Sequence, residues 1–394
     1  MGRINVSMDE IIGKIKNNAL SFKGKLPACN MASDGKFSLN NGGGWTDGFY
    51  IGVINLAYIL SGDKQFLDLA AEYDEFFKKR IRNTDEVNEA NGFLKLDHDV
   101  GFIFLPVNGF RYNLLKKEED KEILIKAADV LVERFNEAGG FIRAWDTWKW
   151  DTDEKFIEEK KGKVIIDSMM NIPLLFQVAE ITQDKKYYDI ALRHAHTVAS
   201  TIVRDDYSTF HSYNFDHKTG APICGKTVQG YSDDSCWSRG QAWAVYGFAL
   251  AYKYTKEEKF IEISKKTAEY FMDNLTAVDM PSWDFAAKDQ TFAPWDSAAS
   301  TICASGLLEI YELTGDKKYY DYAMRLLDAI ERFCLTVDYD NCQPLILHGC
   351  IGTAYSKGNE QFIKNLWIGQ ALTYSDYFYL ECKLKLSDNK IRIF

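Results

Sequence analysis

The chain has 394 residues, 46% hydrophobic and 26% charged, so it carries ample material for a packed core and lacks the composition of a disordered segment. Its formal net charge of −10 argues against a nucleic-acid binder, which needs a basic face, but leaves room for a small anion held by one or two cationic side chains. No run approaches the roughly 20 apolar residues of a membrane span, the N-terminus MGRINVSMDE has no leader-like apolar stretch, and the eight scattered cysteines read as free thiols, so a cytoplasmic protein is expected.

From the N-terminus, a helix is expected around residues 8–18. The Gly-rich segment NNGGGWTDGFY (40–50) follows, carrying Trp45 and Asp47, and runs into the apolar stretch 49–60. A polar turn, SGDK from Ser61, then opens a helix with Phe66, Leu69, Ala70 and Tyr73 at helical spacing. The same unit of apolar helix, polar turn and amphipathic helix recurs. Its apolar runs are 100–115, 169–181, 240–254 and 299–313, and its turns start at Glu118, Thr182, Thr255 and Thr314. Pro106 predicts a kink in the second run. With the C-terminal run NLWIGQALTYSDYFYLECKLKL, the chain reads as about twelve helices in six hairpins. Strand signals are sparse. Apolar helices ringed by amphipathic ones predict an all-α fold, an (α/α)6 barrel filling residues 1–394 as a single domain. The alternative at this level is an open helical solenoid that binds other proteins.

The connections between hairpins are rich in Trp, His, Asp, Asn and Gly, and eight of the nine tryptophans lie in or beside them. Indole faces match the C–H faces of a pyranose, so this concentration points to a sugar. Asp47, Asp99 (LDHDVGF), Asp167 (VIIDSMMN) and Asp296 (PWDSAAS) each precede an apolar helix. Some must be helix caps. Position alone does not say which of them does chemistry. Asp167 follows three aliphatic residues, a setting that raises a carboxyl pKa, and two acids facing one pocket are the ordinary layout of a glycosidase. Among the six histidines, His194 and His196 sit mid-helix and read as structural, while His98 directly precedes Asp99. Arg239 in SRGQAW reads as a guanidinium at the pocket mouth, oriented by Asp233 and Asp234 upstream. No H-x-x-x-H or H-E-x-x-H occurs, so neither a catalytic metal nor another cofactor is expected.

Taken in order, LDHDVGF, VIIDSMMN, QGYSDDSCWSRGQAWAVYG and PWDSAAS resemble the unsaturated glucuronyl hydrolases, glycoside hydrolase family 88, over roughly residues 8–386. The resemblance implies an (α/α)6 barrel and a hydrolase that releases a 4,5-unsaturated uronic acid from the end of short lyase-cut glycosaminoglycan oligosaccharides. It also implies an unusual route, in which C4 of a vinyl ether is protonated, water adds at C5, and the resulting hemiketal opens so that the glycosidic bond is lost. By motif, Asp167 matches the general acid/base and Asp99 the second essential acid. His98, His211, Gln229, Arg239 and Trp243 match positions lining the unsaturated-sugar subsite, with Arg239, Gln229 or His211 facing the uronate carboxylate. Trp45 and Trp145 match stacking aromatics, although Trp148 and Trp150 compete for the second place. Ser356 and Lys357 match an area where some relatives read a sulfate. At LTYSDYFYLE the chain departs from the family pattern, which has Trp-Gly before the Asp. A sister activity on unsaturated rhamnogalacturonan disaccharides, an inverting glycosidase for saturated sugars, and a non-catalytic helical scaffold are the rival readings.

Overall fold

The computed structural model of the chain describes residues 7–31, 35–82, 96–147, 151–287, 293–337, 341–352, 369–389 and 391. Its inner helices are the apolar runs. They are α2 (Asp47–Ser61), α5 (Val100–Phe104) continuing into α6 (Phe110–Leu115), α9 (Pro173–Thr182), α11 (Ser238–Thr255), α13 (Ser297–Thr314) and α15 (Thr373–Lys385). Each is buried on nearly all sides, as uniform hydrophobicity requires; α13 is buried without a break from Ser297 to Ile310. The outer layer is α1 (Met8–Phe22), α3 (Gln65–Ala71) with α4 (Asp74–Arg82), α7 (Glu118–Glu133), α10 (Lys185–Thr201), α12 (Glu258–Asp273) and α14 (Lys317–Phe333). These are one-sided: α14 buries Tyr319, Ala323, Leu326, Leu327 and Ile330 along a single stripe.

The inner helices close a ring. α2 packs on the α5–α6 run, Gly101 of α5 meets Asn171, the turn before α9 packs on α11, and α11, α13, α15 and α2 follow in sequence. The fold is therefore the expected α/α barrel. The kink at Pro106 is present as a π turn, Leu105–Gly109, and the Pro106 carbonyl accepts Asn55 Nδ2 at 2.9 Å.

The repeated polar turn has a clear physical basis. Every inner-to-outer turn described contains one residue in the left-handed region, namely Gly62, Lys116, Gln183, Lys256 and Gly315, whose N–H closes onto the carbonyl four residues back. In three turns the next Asp accepts the backbone N–H two residues on: Asp63 from Gln65, Asp184 from Lys186 and Asp316 from Lys318. Three of the left-handed positions carry a side chain that strains this conformation. We expect Gln183→Gly to raise unfolding stability by about 0.5–1 kcal/mol, read as a higher denaturant midpoint at unchanged slope.

Short antiparallel strands, which the sequence reading did not anticipate, decorate the loop end of the ring. β1 (Leu26–Met31) pairs with β2 (Phe37–Asn40), and β3 (Phe135–Asn136) with β4 (Phe141–Ile142). The third sheet, β5 (Lys163–Ile165), β6 (Ser212–Phe215) and β7 (Pro222–Lys226), brings three candidate segments side by side. A further short helix, α8 (Glu154–Lys160), lies in the loop before β5.

Candidate functional site

Of the four acids at inner-helix starts, only Asp296 caps its helix, accepting Ala298 N at 3.2 Å. Asp47 turns back into its own loop, accepts Gly43 N at 2.7 Å and pairs with the buried Arg80 at 2.5 Å. Asp99 and Asp167 make no cap hydrogen bond, which removes the simplest structural explanation for both.

Asp167 is positioned by the third sheet. β5 runs directly into it, Ile166 N bonds to His211 O at 3.0 Å, and a 3-10 turn (Ile166–Met170) carries the carboxyl inward. Buried His194 supports that turn, accepting Ile142 N at 3.0 Å and meeting Ser168 Oγ at 2.7 Å, so its structural reading holds. Asn171 ties the two acids together. Its Oδ1 accepts Phe102 N at 3.0 Å, its Nδ2 donates to Asp167 O at 3.2 Å, and its side chain stabilises the charged form of Asp99. A Cβ on Gly101 would stand 2.6 Å from Asn171 Cα, so this contact between helix starts requires the glycine of HDVGF.

The electrostatics separate these acids from surface carboxylates. Burial pushes Asp167 up to about 7, against the opposing pull of Arg239 and the Trp243 N–H. It is 8% exposed, and its Oδ2 has no hydrogen-bond partner; nor has Trp243 Nε1, so the indole acts at longer range than a hydrogen bond. Asp99 is pushed well above the carboxylate range by burial and then by repulsion from Asp97 and Asp167. Asp97, whose Oδ1 accepts Asp99 N at 3.0 Å, is also raised, mainly by burial. Crowding three acids into one dry region disfavours ionising all of them, and Asp99 bears most of the repulsion. His98 is fully buried with both ring nitrogens unpartnered, and burial with Arg134 nearby keeps it neutral, so its 3.6 Å approach to Asp99 is not an ion pair. Asp97, His98 and Asp99 each offer a donor atom within 4.8 Å of the others. Arg134 and Arg80 place positive charge beside Asp97, which disfavours a cation there.

Arg239 departs from expectation. It is buried rather than at the mouth, and it is oriented by Asp296 and by the carbonyls of Cys350 (2.6 Å) and Ile351 (2.8 Å). Asp233 pairs instead with Lys226 at 2.7 Å, because the loop after β7 folds onto Asp284, which accepts Tyr231 N and Ser235 Oγ. His211 Nδ1 accepts Val228 N and Gln229 N at 3.0 and 3.2 Å, which leaves the proton on Nε2, a buried donor with no partner. Burial, with Lys163 and Arg239 adding to it, holds this imidazole down to about 3. Gln229 donates through Nε2 to Ile351 O at 2.5 Å.

These side chains form one circuit of rings. Trp145 touches His98 and His211 at 6.4 and 6.3 Å between centroids, and His211 meets Trp237 at 4.6 Å. The Arg239 guanidinium lies 4.6 Å from Trp237 and 5.5 Å from Tyr374. Tyr374 meets Trp45 at 5.2 Å, Trp45 meets Phe102 at 5.5 Å, and Phe102 meets Trp243 at 5.1 Å. Trp45 and Trp145 are half-buried and keep exposed ring surface, whereas Trp237 and Trp243 are core. The structure thus gathers Asp99, Asp167, Trp45, His98, Trp145, His211, Gln229, Arg239 and Trp243. Ser356, Lys357, Trp148 and Trp150 lie outside the described residues. Asn171, Tyr374, Trp237 and Arg80 escaped the sequence reading. Asn171 had a signal, a polar residue inside an apolar stretch; Trp237 lay among the loop tryptophans and Tyr374 in the segment that departs from the family pattern, and Arg80 had none.

Comparison with known proteins gives the same family. The family model described as Glycosyl Hydrolase Family 88 matches residues 22–278. The chain is 34% identical to an unsaturated chondroitin disaccharide hydrolase of Streptococcus pyogenes serotype M1, covering 97% of this chain and 90% of that one. A crystal structure of the unsaturated glucuronyl hydrolase of Bacillus sp. GL1 superposes with a TM-score of 0.86 at 30% identity, covering 97% and 96% of the two chains. A mutant of the Streptococcus agalactiae unsaturated glucuronyl hydrolase, complexed with dGlcA-GalNAc6S, matches with a TM-score of 0.76 at 28% identity, covering 99% and 94%. On this likeness along nearly its whole length, the chain belongs to glycoside hydrolase family 88 and is a glycosidase.

Proposed function

We propose that this enzyme removes a 4,5-unsaturated uronic acid from the non-reducing end of glycosaminoglycan disaccharides and short oligosaccharides left by a lyase. The observation that carries the reading is Asp167, a dry carboxyl brought up to about 7, with an unpartnered oxygen beside Asp99 and a circuit of aromatic rings. An acid of that strength is half protonated near neutral pH, which suits a group that must first give a proton and then take one.

In this scheme Asp167 delivers its proton to C4 of the vinyl ether, and the positive charge that develops at C5 is shared with the ring oxygen. Water adds at C5 while the Asp167 carboxylate takes its proton. The C5 hemiketal opens to a ketone, C1 becomes a free hemiacetal, and the second sugar leaves with one water consumed overall. Asp99 binds ring hydroxyls, its own carboxyl raised by burial and by the neighbouring Asp97 and Asp167. His211 Nε2–H, an unpaired donor of the site, faces the uronate carboxylate together with Arg239 and Gln229. His98 and Trp243, both fully buried, back the same subsite, and Trp45 and Trp145 offer stacking faces. Ser356 and Lys357 complete the assignment as groups for a sulfate on the neighbouring sugar. Residues 1–394 act as one catalytic domain in the cytoplasm, in keeping with the seven described cysteines, all unbridged. No described helix is long and apolar enough to cross a membrane.

The test is direct. Mixing the enzyme with unsaturated disaccharides from chondroitin or hyaluronan should abolish the ultraviolet absorbance of their conjugated alkene. A signal unchanged with all of them rules the proposal out, and turnover confined to the rhamnogalacturonan disaccharide transfers the protein to the sister activity.

A further inference from the structure

The two polar side chains assigned to the uronate carboxylate besides His211, Arg239 and Gln229, share one support. Arg239 rests on the carbonyls of Cys350 and Ile351, and Gln229 Nε2 on that of Ile351. The strip from Leu345 to Ile351 belongs to no regular element. It is pinned along its length: Thr336 N bonds to Leu345 O, Leu347 N to Cys334 O, Ser297 N to His348 O, and Gly349 pairs with Gln370 in both directions. Those are backbone contacts. Side chains add to them: the Thr336 hydroxyl donates to Leu345 O at 3.2 Å, and two buried carboxylates accept amides of the strip. Asp296 reaches Cys350 N at 3.4 Å, at the subsite end. At the far end Asp376, on inner helix α15, accepts Leu345 N at 3.1 Å and Ile346 N at 2.9 Å, one with each oxygen.

We propose that Asp376 is a positioning residue for the hydrolysis: by gripping two consecutive amides it sets the register of strip 345–351 and so places the carbonyls that aim Arg239 and Gln229 at the uronate. Asp376 is 6% exposed and lines a small cavity with Leu345, Thr373, Tyr50 and Ile15. The Thr373 and Tyr50 hydroxyls in that cavity have no hydrogen-bond partner and take neither amide, both of which go to Asp376. A helix-borne carboxylate is a stiffer anchor than a loop contact, because α15 is itself buried from Thr373 to Cys382. Asn at this position keeps the shape but turns one acceptor into a donor facing a donor. The strip must then shift at that end.

The inference rests on the proposed substrate and subsite, and the experiment separates the two. Kinetics on an unsaturated chondroitin disaccharide are compared for the parent enzyme, Asp376→Asn, Asp376→Glu and a distant buried control, Ser264→Ala, which loses only its bond to Val245 O. We expect Asp376→Asn to raise KM about tenfold or more with kcat within about threefold, since ground-state binding is what the strip supports. Asp376→Glu, which keeps both acceptors, should recover part of that loss, and Ser264→Ala should leave KM alone even where its melting temperature falls. An unchanged KM in Asp376→Asn, or equal KM changes in Asp376→Asn and Ser264→Ala, overturns the inference. If Asp376→Asn does not fold, a parent-like KM in Asp376→Glu overturns it and a raised one supports it. A parent enzyme that leaves every unsaturated disaccharide intact refutes the functional reading instead.

Discussion

Replacing Asp167 with Asn should abolish turnover and, above neutral pH, make the protein more stable. The first half follows from the chemistry, because an amide can neither protonate C4 nor accept a proton from water. The second follows from linkage. The ordinary value of this carboxyl is 3.8 and the folded value about 7, so between those limits the folded state holds the proton more tightly than the unfolded chain does. The sign is therefore opposite to that of an ion-paired acid: stability is lost as pH rises from about 4 to 7 and stays lost above it. A tenfold change in proton affinity corresponds to about 1.4 kcal/mol. An Asn escapes the cost of burying a charge, so the variant should gain more than about 1 kcal/mol at pH 8 and little at pH 4. Paired thermal melts at the two pH values check this, and a cap would behave in the opposite way, with the Asn variant no more stable at either. The same titration predicts that parent activity declines on the alkaline side near pH 7, as the proton donor is lost. A variant that is less stable at pH 8, or still active, would sink the assignment.

Arg80→Ala should damage folding severely, costing about 3–5 kcal/mol in a denaturant melt. Arg80 is 1% exposed and bonds to Asp47, to Gly44 O at 2.8 Å and to Gly43 O at 3.1 Å. For both partners burial outweighs attraction: Asp47 is raised and Arg80 lowered from their ordinary values. The pair is thus a poor source of net stability, and its loss hurts because it leaves the buried Asp47 carboxyl with Gly43 N but no guanidinium, and strips the Gly43 and Gly44 carbonyls of their donor. Converting both partners to Asn and Met should cost clearly less than Arg80→Ala. The loop that the pair folds is the one that presents Trp45, so the double variant should keep its fold and lose affinity for the sugar. An additive double variant would show that the two residues act independently.

Much of this molecule was legible in advance, for identifiable reasons. The barrel showed because most inner helices are apolar all round and most turns repeat Asp-Lys. The structure explains that repeat as a left-handed residue followed by a capping carboxylate. Asp99, Asp167, His98 and Arg239 showed because loops have no packing reason to concentrate such residues, and His211 showed through the family resemblance alone. What could not be read was long-range pairing. Nothing near Asp47 announces Arg80, and nothing near Arg239 announces Asp296 or the carbonyls of 350 and 351, so the nearer Asp233 and Asp234 drew the wrong assignment. The small sheets were hidden too, since β5 is only three residues long and merges with the apolar lead into Asp167.

The placement of the left-handed turns carries one more consequence. They close the ends of the inner helices, while the acids and aromatic rings stand at the starts, a full helix length away. The two rims of the ring are thus separate territories. Evolution or an engineer can harden the protein at one rim, swapping strained turn residues for glycine or adding caps, with no side chain of the other rim disturbed. Heat tolerance and substrate choice can then drift independently in this scaffold.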